Sequence, residues 1–136
     1  MTLPSLSDTT RIRLARPTRD LAAATHFYVA GLGLSLLYGS DGEGEAAALR
    51  IVGLPGAAWH LEFTHAHGRA PVPAPTEEDL LVLYLGEPAS EAFLRHLERH
   101  GGSRVPASNP YWERWGVTVE DPDGYRLVLS QRQWTM

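Results

Sequence analysis

Cysteine is absent from this sequence of 136 residues. Its absence excludes disulfides, thiolate nucleophiles and zinc sites built from cysteine. Long apolar runs are also missing, since none approaches the roughly twenty residues of a membrane-spanning helix. Charge of one sign is not concentrated either, because the formal net charge is only -4 and acidic and basic residues are mixed along the chain. The sequence therefore shows no membrane span and no basic surface for nucleic acid.

The residues that are present have the composition of an ordinary soluble globular protein, with 43% hydrophobic and 21% charged residues. The length fits one compact domain or two small modules that share a core. We expect a small-molecule or protein partner, and the lack of cysteine is compatible with a reducing cytoplasm. Residues 1–10 lack the basic and apolar regions of a secretory signal, so we expect a flexible tail there.

The pattern of apolar residues occurs twice along the chain. The first half predicts a strand, a helix and three strands over residues 11–15, 21–30, 34–38, 46–52 and 59–64. The second half predicts the same order over residues 80–85, 90–100, 103–105, 115–120 and 125–130. Either half alone would expose one face of a small sheet, so the two halves are predicted to share one core.

The predicted fold class is therefore α+β, with a single domain over residues 11–136. Module one covers about residues 11–65, and module two covers about residues 80–136. Residues 66–79 between them carry three prolines and little apolar content, which is typical of a linker.

The strand at residues 59–64 carries the candidate chemistry. Side chains in a strand alternate between two faces, so His60 and Glu62 share one face while apolar residues occupy the other. A buried carboxylate must be paired, protonated or bound to a metal, because an isolated buried charge is too costly. His60 and Glu62 are the candidate catalytic residues, either as a base with its orienting carboxylate or as two donors to one ion.

Several short motifs resemble those of the vicinal oxygen chelate superfamily, which includes glyoxalase I, fosfomycin and bleomycin resistance proteins and extradiol dioxygenases. The matching residues are Asp20-Leu21, Phe27-Tyr28, Gly31-Leu32-Gly33-Leu34, Glu62 and Asp121-Pro122-Asp123-Gly124-Tyr125. The resemblance covers nearly all of residues 11–130. It implies two βαβββ modules that form a cupped mixed sheet around a cavity, and often a homodimer.

The resemblance also implies a divalent metal, held by His, Gln or Glu from the first and last strand of each module. The four corresponding positions in this chain are Arg11, Glu62, Leu80 and Val128. Only Glu62 can donate a lone pair, so we expect a degenerate metal site with Glu62 as its one remaining metal ligand. We expect the Arg11 guanidinium to pair with Glu62 instead, in a buried pair whose disruption costs roughly 3–5 kcal/mol.

Aromatic residues before the strand at 115–120 suit the wall of a cavity for a flat or apolar ligand. Tyr111 and Trp112 are candidate ligand-binding residues, and one of Trp112 and Trp115 is expected to face the cavity. Arg11 and three residues of suitable strand parity complete the predicted ligand-binding set: Arg13, Tyr84 and Ser130.

The other histidines give a weaker signal. His65 and His67 lie where the strand meets the linker and are expected to be solvated, although together with His60 and Glu62 they would supply enough donors for a nonstandard metal site. The three remaining histidines are predicted on helix surfaces: His26, His96 and His100. The last two are one helical turn apart, a spacing that can bind a metal adventitiously.

Three functions remain open at this point. The sequence favours a protein that binds a small organic molecule in the cavity of the cupped sheet without a metal. The alternative is a divalent-metal-dependent lyase or dioxygenase that uses Glu62 and a nonstandard histidine. No cofactor is assigned, and a divalent metal stays open. A scaffold without a ligand is a third alternative.

Overall fold

The computed structural model describes residues 2–44, 46–66 and 71–135. Within these ranges the chain forms two four-stranded mixed sheets and three α-helices. The first sheet consists of β1 (Ile12–Pro17), β2 (Ser35–Ser40), β3 (Ala48–Gly53) and β4 (Trp59–His65). The second sheet consists of β5 (Leu80–Tyr84), β6 (Ser103–Val105), β7 (Gly116–Glu120) and β8 (Arg126–Ser130). The helices are α1 (Leu21–His26), α2 (Glu91–Arg99) and α3 (Pro110–Trp115). The predicted α+β fold class is confirmed.

The two sheets have the same topology, with strand order β1-β4-β3-β2 in the first and β5-β8-β7-β6 in the second. In each sheet the first strand pairs in parallel with the last, and the other neighbours are antiparallel. A parallel pair requires a crossover, and the intervening helix and strands supply it. Among the described residues, β1 and β5 therefore each have one unpaired edge. We call the first sheet with α1 module one, and the second sheet with α2 and α3 module two.

The helix after β1 begins at its N-cap Asp20, whose side chain accepts a backbone hydrogen bond of 3.0 Å within the first turn. The sequence predicts one α-helix over residues 21–30, but the structure changes to a π-helical turn over Phe27–Gly31. In this turn the Leu32 N–H donates to Phe27 O, five residues back. The wider turn brings the two consecutive aromatic side chains Phe27 and Tyr28 into the core, where both are buried.

The hydrophobic core is built from the facing sides of both sheets and from their helices. It contains Leu61 and Phe63 of β4, Leu127 and Leu129 of β8, and Leu97 of α2. All five are almost fully buried, and burial of each such side chain stabilises the fold by about 1.5–3 kcal/mol. The two modules thus share one core.

A buried polar contact joins the modules beside this core. The turn between β7 and β8 places Asp123 against the segment after β1, where its carboxylate accepts hydrogen bonds from Thr18 Oγ1 at 2.5 Å and Arg19 N at 3.0 Å. Two residues earlier, Asp121 Oδ2 accepts a hydrogen bond of 2.7 Å from the Tyr28 hydroxyl. Burial of Asp121 raises the pKa of its carboxyl above the ordinary value. The Asp-Pro-Asp-Gly motif therefore holds the two modules together.

The structure contains a helix between β6 and β7 that the sequence does not predict, because Asn109-Pro110 is typical of a turn. The structure begins α3 at this point, with Asn109 as N-cap accepting a hydrogen bond of 2.9 Å from Tyr111 N. Proline is well tolerated in the first turn of a helix, because its missing N–H would have no partner there. The same asparagine and proline that predict a turn therefore also fit a helix start.

The first strand, predicted over residues 11–15, covers Ile12–Pro17 in the structure. Proline cannot donate a hydrogen bond to a neighbouring strand, but β1 is an edge strand with a neighbour on one side alone, so Pro17 is tolerated there.

Among residues 2–44, 46–66 and 71–135, no helix has the length and hydrophobicity needed to cross a lipid bilayer.

Candidate functional site

The face of module one that points away from the core carries three polar side chains close together. In the β1–β4 register, Arg13 lies opposite His60 and Ala15 lies opposite Glu62. Residues opposite each other in a parallel pair point to the same face, so Arg13, His60 and Glu62 share this face. The predicted parity of His60 and Glu62 agrees with the structure.

Arg13 contacts both of its polar neighbours. Its Nε–H donates to His60 Nε2 at 3.0 Å, and its Nη1 donates to Glu62 Oε1 at 3.4 Å. His60 Nε2 must carry no proton in this contact, because it accepts. The Arg13 side chain is 51% exposed and that of Glu62 is 15% exposed. The ion pair is thus long and open to water on the arginine side, unlike the buried pair expected from the sequence.

Arg11 is not the partner of Glu62, which corrects the sequence-based expectation. Its Nη1 donates to Ala57 O at 2.8 Å. The sequence comparison aligned the first strands of the two modules two residues out of register. When Trp59 is matched to Tyr125, the next residues His60 and Arg126 also match. Arg13 pairs with His60 and Leu80 pairs with Arg126, so Arg13, not Arg11, is the counterpart of Leu80. A shift of two residues keeps the face of a strand, so the side of the sheet was predicted correctly and the position was not.

The residues at the four ligand positions implied by the superfamily do not fit a metal ion. With the register corrected, these positions hold Arg13, Glu62, Leu80 and Val128. A guanidinium has no free lone pair and the two aliphatic side chains have none, so Glu62 is the one donor among the four. In the part of the chain that the structure describes, no group of three His, Asp or Glu side chains is arranged to hold a metal ion.

An apolar cleft runs between the unpaired edges of β1 and β5, beside these polar side chains. One part of it, a cavity of about 280 Å³, is lined by Ile12, Leu14 and Trp59 from module one and by Leu81 and Val82 from module two, among others. His60 is the polar residue of this lining. The polar face of module one thus meets the cleft at His60.

A second cavity of about 480 Å³ continues the cleft and shares Trp59, Val82 and Leu83 with the first. Its wall also contains Leu54 and Tyr84. We call the two connected cavities the seam cleft. Sequence analysis missed it, although the apolar residues on the outer strands β1 and β5 were a signal for it.

Aromatic side chains of module two extend the wall beyond Tyr84. The rings of Tyr84 and Trp112 meet edge to face at 6.4 Å, and those of Trp112 and Tyr111 at 4.8 Å. Trp112, Leu80 and Val128 line one small cavity at the second sheet. α3 therefore brings Trp112 next to this sheet.

The remaining predicted site residues lie elsewhere. Ser130 is fully buried, and its Oγ accepts a hydrogen bond of 3.2 Å from Arg132 N. The guanidinium groups of Arg114 and Arg132 each lie over the Trp115 ring, 4.8 Å from its centroid. His65 donates from Nδ1 to Thr18 O at 2.9 Å. His67 lies outside the described residues.

The chain is similar to known proteins over nearly its whole length. Two family models match it: the YycE-like N-terminal domain over residues 12–64 and the YycE-like C-terminal domain over residues 78–131. The YycE protein of Bacillus subtilis (strain 168) is 40% identical over 120 residues, which is 88% of this chain and 86% of that protein. A crystal structure of a YycE protein of unknown function from Bacillus subtilis has a TM-score of 0.81 and 36% identity, with 93% of both chains covered.

Two more distant crystal structures share the architecture. The trypanothione-dependent glyoxalase I of Leishmania major has a TM-score of 0.70 at 18% identity, covering 94% of this chain and 88% of that chain. TnmS3, an antibiotic-binding protein from a Streptomyces species, has a TM-score of 0.58 at 22% identity, covering 98% of this chain and 99% of that chain. At such identities the likeness shows the fold alone.

Proposed function

The chain belongs to the YycE-like family of the vicinal oxygen chelate superfamily, and on that premise we propose that it binds a small organic molecule in the seam cleft without a catalytic metal. The contact of Arg13 with both His60 and Glu62 is the observation that carries the proposal. The guanidinium engages the two side chains of this face that are best suited to bind an ion, and it cannot itself donate a lone pair. The metal site is therefore degenerate in this proposal.

The seam cleft supports a ligand of mixed character. The cavity of about 480 Å³ falls in the size range of small-molecule sites, roughly 300–1,000 Å³, and the cavity of about 280 Å³ lies just below that range. The walls are mainly apolar, while His60 brings one hydrogen-bonding group to the cleft. A ligand with a flat or apolar body and one polar group matches this arrangement. Tyr84 borders the apolar body, and Arg13 extends the polar end.

A second copy of the chain is the proposed protein partner. Ile12 and Leu14 on β1 are 61% and 46% exposed, and Tyr84 on β5 is 41% exposed. Unpaired strand edges with exposed apolar side chains favour association. We expect a homodimer in sedimentation velocity measurements and a monomer for Leu14→Glu. A monomeric parent protein would contradict this part of the proposal.

The alternative function is a metal-dependent lyase or dioxygenase. His60 and Glu62 share one face at a spacing of two, and Arg13 is half exposed and able to turn away into water. That movement would free one imidazole nitrogen and one carboxylate for an ion. The alternative therefore requires Arg13 to leave its present position.

Calorimetry of the metal-stripped, tag-free protein separates the two functions. The titrants are nickel, zinc, manganese and anaerobic ferrous iron, and the matched variant is Glu62→Gln. We expect no binding that depends on Glu62, followed by thermal stabilisation of the parent protein by planar organic compounds, because a ligand of the native state raises its stability. Tight binding of one ion per chain that Glu62→Gln abolishes would overturn the metal-free proposal and establish the alternative.

The proposed binder would act in the cytoplasm, as the sequence leads us to expect. Fractionation of cells that express the untagged chain would test this compartment, with activity of a cytoplasmic marker enzyme as the reference.

A further inference from the structure

His60, the polar residue of the seam cleft, is a hydrogen-bond donor toward a ligand. Its Nε2 accepts from Arg13 Nε at 3.0 Å, so this nitrogen carries no proton. A neutral imidazole has one N–H, which must then be on Nδ1. His60 borders the cavity of about 280 Å³. The contact with Arg13 therefore leaves His60 with a donor, and not with a base, for a molecule in the cleft.

Arg13 has further donors beside His60. A guanidinium carries several N–H groups, and Arg13 uses Nε on His60 and Nη1 on Glu62. Among residues 2–44, 46–66 and 71–135, its Nη2 makes no hydrogen bond, and the side chain is 51% exposed. The planar guanidinium matches the paired oxygens of a carboxylate. Arg13 and His60 together thus offer donors from two side chains to a group that accepts.

The charges around Arg13 favour a negatively charged group. Glu62 is 15% exposed, against 51% for Arg13, so the cation is the more exposed partner of this ion pair. The β3 residues opposite His60 and Glu62 are Gly53 and Ile51, and both are uncharged. Glu62 is therefore the carboxylate that an anion would meet here, and it is the less accessible member of the pair.

A second guanidinium adds positive charge at the same end of the strand pair. Arg11 directly precedes β1, and its Nη1 donates to Ala57 O at 2.8 Å. Two residues of extended chain span about 7 Å, which sets the separation of Arg11 and Arg13 along the backbone. Within the described part of the chain, no salt bridge joins Arg11 to a carboxylate. Two cations thus lie near the single carboxylate of Glu62, and the excess charge is positive.

We infer that the ligand of the seam cleft is a small organic carboxylate, whose acid group binds Arg13 and His60 while its flat apolar body lies in the cleft. The inference rests on the proposed metal-free function and names the class of ligand for it. An ionised carboxylate only accepts hydrogen bonds, which matches two donors, and bonds between ionised groups are roughly twice as strong as neutral ones. A carboxamide of the same shape has no charge and replaces one acceptor oxygen with N–H donors.

Calorimetric titration of the metal-stripped protein with 2-naphthoate and with 2-naphthamide at neutral pH tests this inference without any variant. The two compounds share one ring system and differ in the acid group, and removal of metal ensures that no bound ion holds the carboxylate. We expect 2-naphthoate to bind at least about tenfold more tightly than 2-naphthamide. Equal affinities would overturn the carboxylate inference and leave the proposed apolar cleft intact. Binding of neither compound would overturn both.

Three variants place the acid group. Arg13→Met should weaken 2-naphthoate binding at least about tenfold and change that of 2-naphthamide little, because it removes the guanidinium and keeps an apolar chain. Glu62→Gln should strengthen 2-naphthoate binding, by about two- to tenfold, because it removes a nearby negative charge. Arg95→Met is the matched control, since Arg95 is 68% exposed on α2 and its loss changes the net charge equally.

The signs of these effects decide the inference. An equal loss of 2-naphthoate affinity in Arg95→Met and Arg13→Met would show that only the net charge of the protein matters, and would overturn it. Weaker binding of 2-naphthoate to Glu62→Gln would overturn it as well, because the carboxylate of Glu62 would then help to hold the ligand. Thermal unfolding of each variant shows that it is folded before it is titrated.

Discussion

The hydroxyl of Tyr28 donates a hydrogen bond of 2.7 Å to Asp121 Oδ2 across the boundary between the two modules. Tyr28 belongs to the π-helical turn after α1, and Asp121 precedes the turn that leads into β8. Both residues are buried, and the other carboxylate oxygen of Asp121 accepts from Asp123 N at 2.8 Å and Tyr125 N at 3.0 Å. Asp121 is therefore held by both modules at once.

Tyr28→Phe should destabilise the protein. The change keeps the ring in the core but leaves Asp121 Oδ2 without this donor, and an unsatisfied buried acceptor costs about 1–3 kcal/mol. The free energy of unfolding in urea measures the loss. Tyr38→Phe is the matched control, because Tyr38 is 56% exposed and its hydroxyl can reach water. If both variants unfold at the same urea concentration as the parent, the hydrogen bond contributes nothing to stability.

Asp121→Asn should change how stability depends on pH. Burial raises the pKa of Asp121 in the folded protein, whereas the unfolded chain titrates near the ordinary value of 3.8. The folded state thus binds this proton more tightly. The stability that the protonated carboxyl contributes is present below the unfolded pKa and is lost as pH rises through the folded pKa.

Urea unfolding of the parent and of Asp121→Asn, from below pH 3.8 to neutral pH, measures this effect. The free energy of unfolding of the parent minus that of the variant should fall as pH rises across the window. Taking the difference removes the titration of the other carboxylates, provided that these are unchanged. A difference that stays constant or grows with pH would show that Asp121 does not have a raised pKa.

The fold could be predicted from the sequence because its periodic signals are strong. The alternation in β4, the apolar run in β8, the helical stripe before His100 and the Asp-Pro-Asp-Gly turn each indicate one structure. The exceptions have local causes. α3 was missed because Asn109-Pro110 fits both a turn and a helix start, and the π-helical turn at Phe27 depends on the core that the two aromatic rings fill.

The site could be predicted only in part. Side chains along a strand alternate between two faces, so the sequence predicts that His60 and Glu62 lie on the same face. The partner of Glu62 depends instead on how β1 and β4 align, and the sequence of one strand does not determine that alignment. A shift of two residues leaves the polarity pattern unchanged, so Arg11 and Arg13 are equivalent in the sequence. The seam cleft depends on contacts between modules, which no local pattern encodes.

The pair between Arg13 and Glu62 should contribute little to stability. Its N···O distance is 3.4 Å and Arg13 is 51% exposed, so water screens the attraction. Such pairs contribute about 0.2–1 kcal/mol, well below the loss expected for a buried pair. A double-mutant cycle with Arg13→Met and Glu62→Gln, measured by urea unfolding, should give a coupling energy in this range. A coupling energy of about 3 kcal/mol or more would mean that the pair behaves as a buried one.

Gly102→Ala should destabilise the junction of α2 with the core. A Cβ atom at Gly102 would lie 2.8 Å from Phe27 Cε1 and 2.9 Å from Val119 Cγ1, closer than carbon atoms approach. Both neighbours are fully buried, so neither can move without displacing the core. Overpacking of this kind costs about 1–3 kcal/mol.

Gly39→Ala is the matched control for this change. Neither glycine has a left-handed φ, so alanine is not strained by the backbone at either position. A Cβ at Gly39 on the edge strand β2 would meet the Arg50 side chain at 3.0 Å, and this long, flexible side chain can turn aside. The urea midpoint should therefore fall clearly for Gly102→Ala and change little for Gly39→Ala. Equal midpoints for the two variants would show that Phe27 and Val119 have more freedom than their burial indicates, and that the core between the modules is loosely packed.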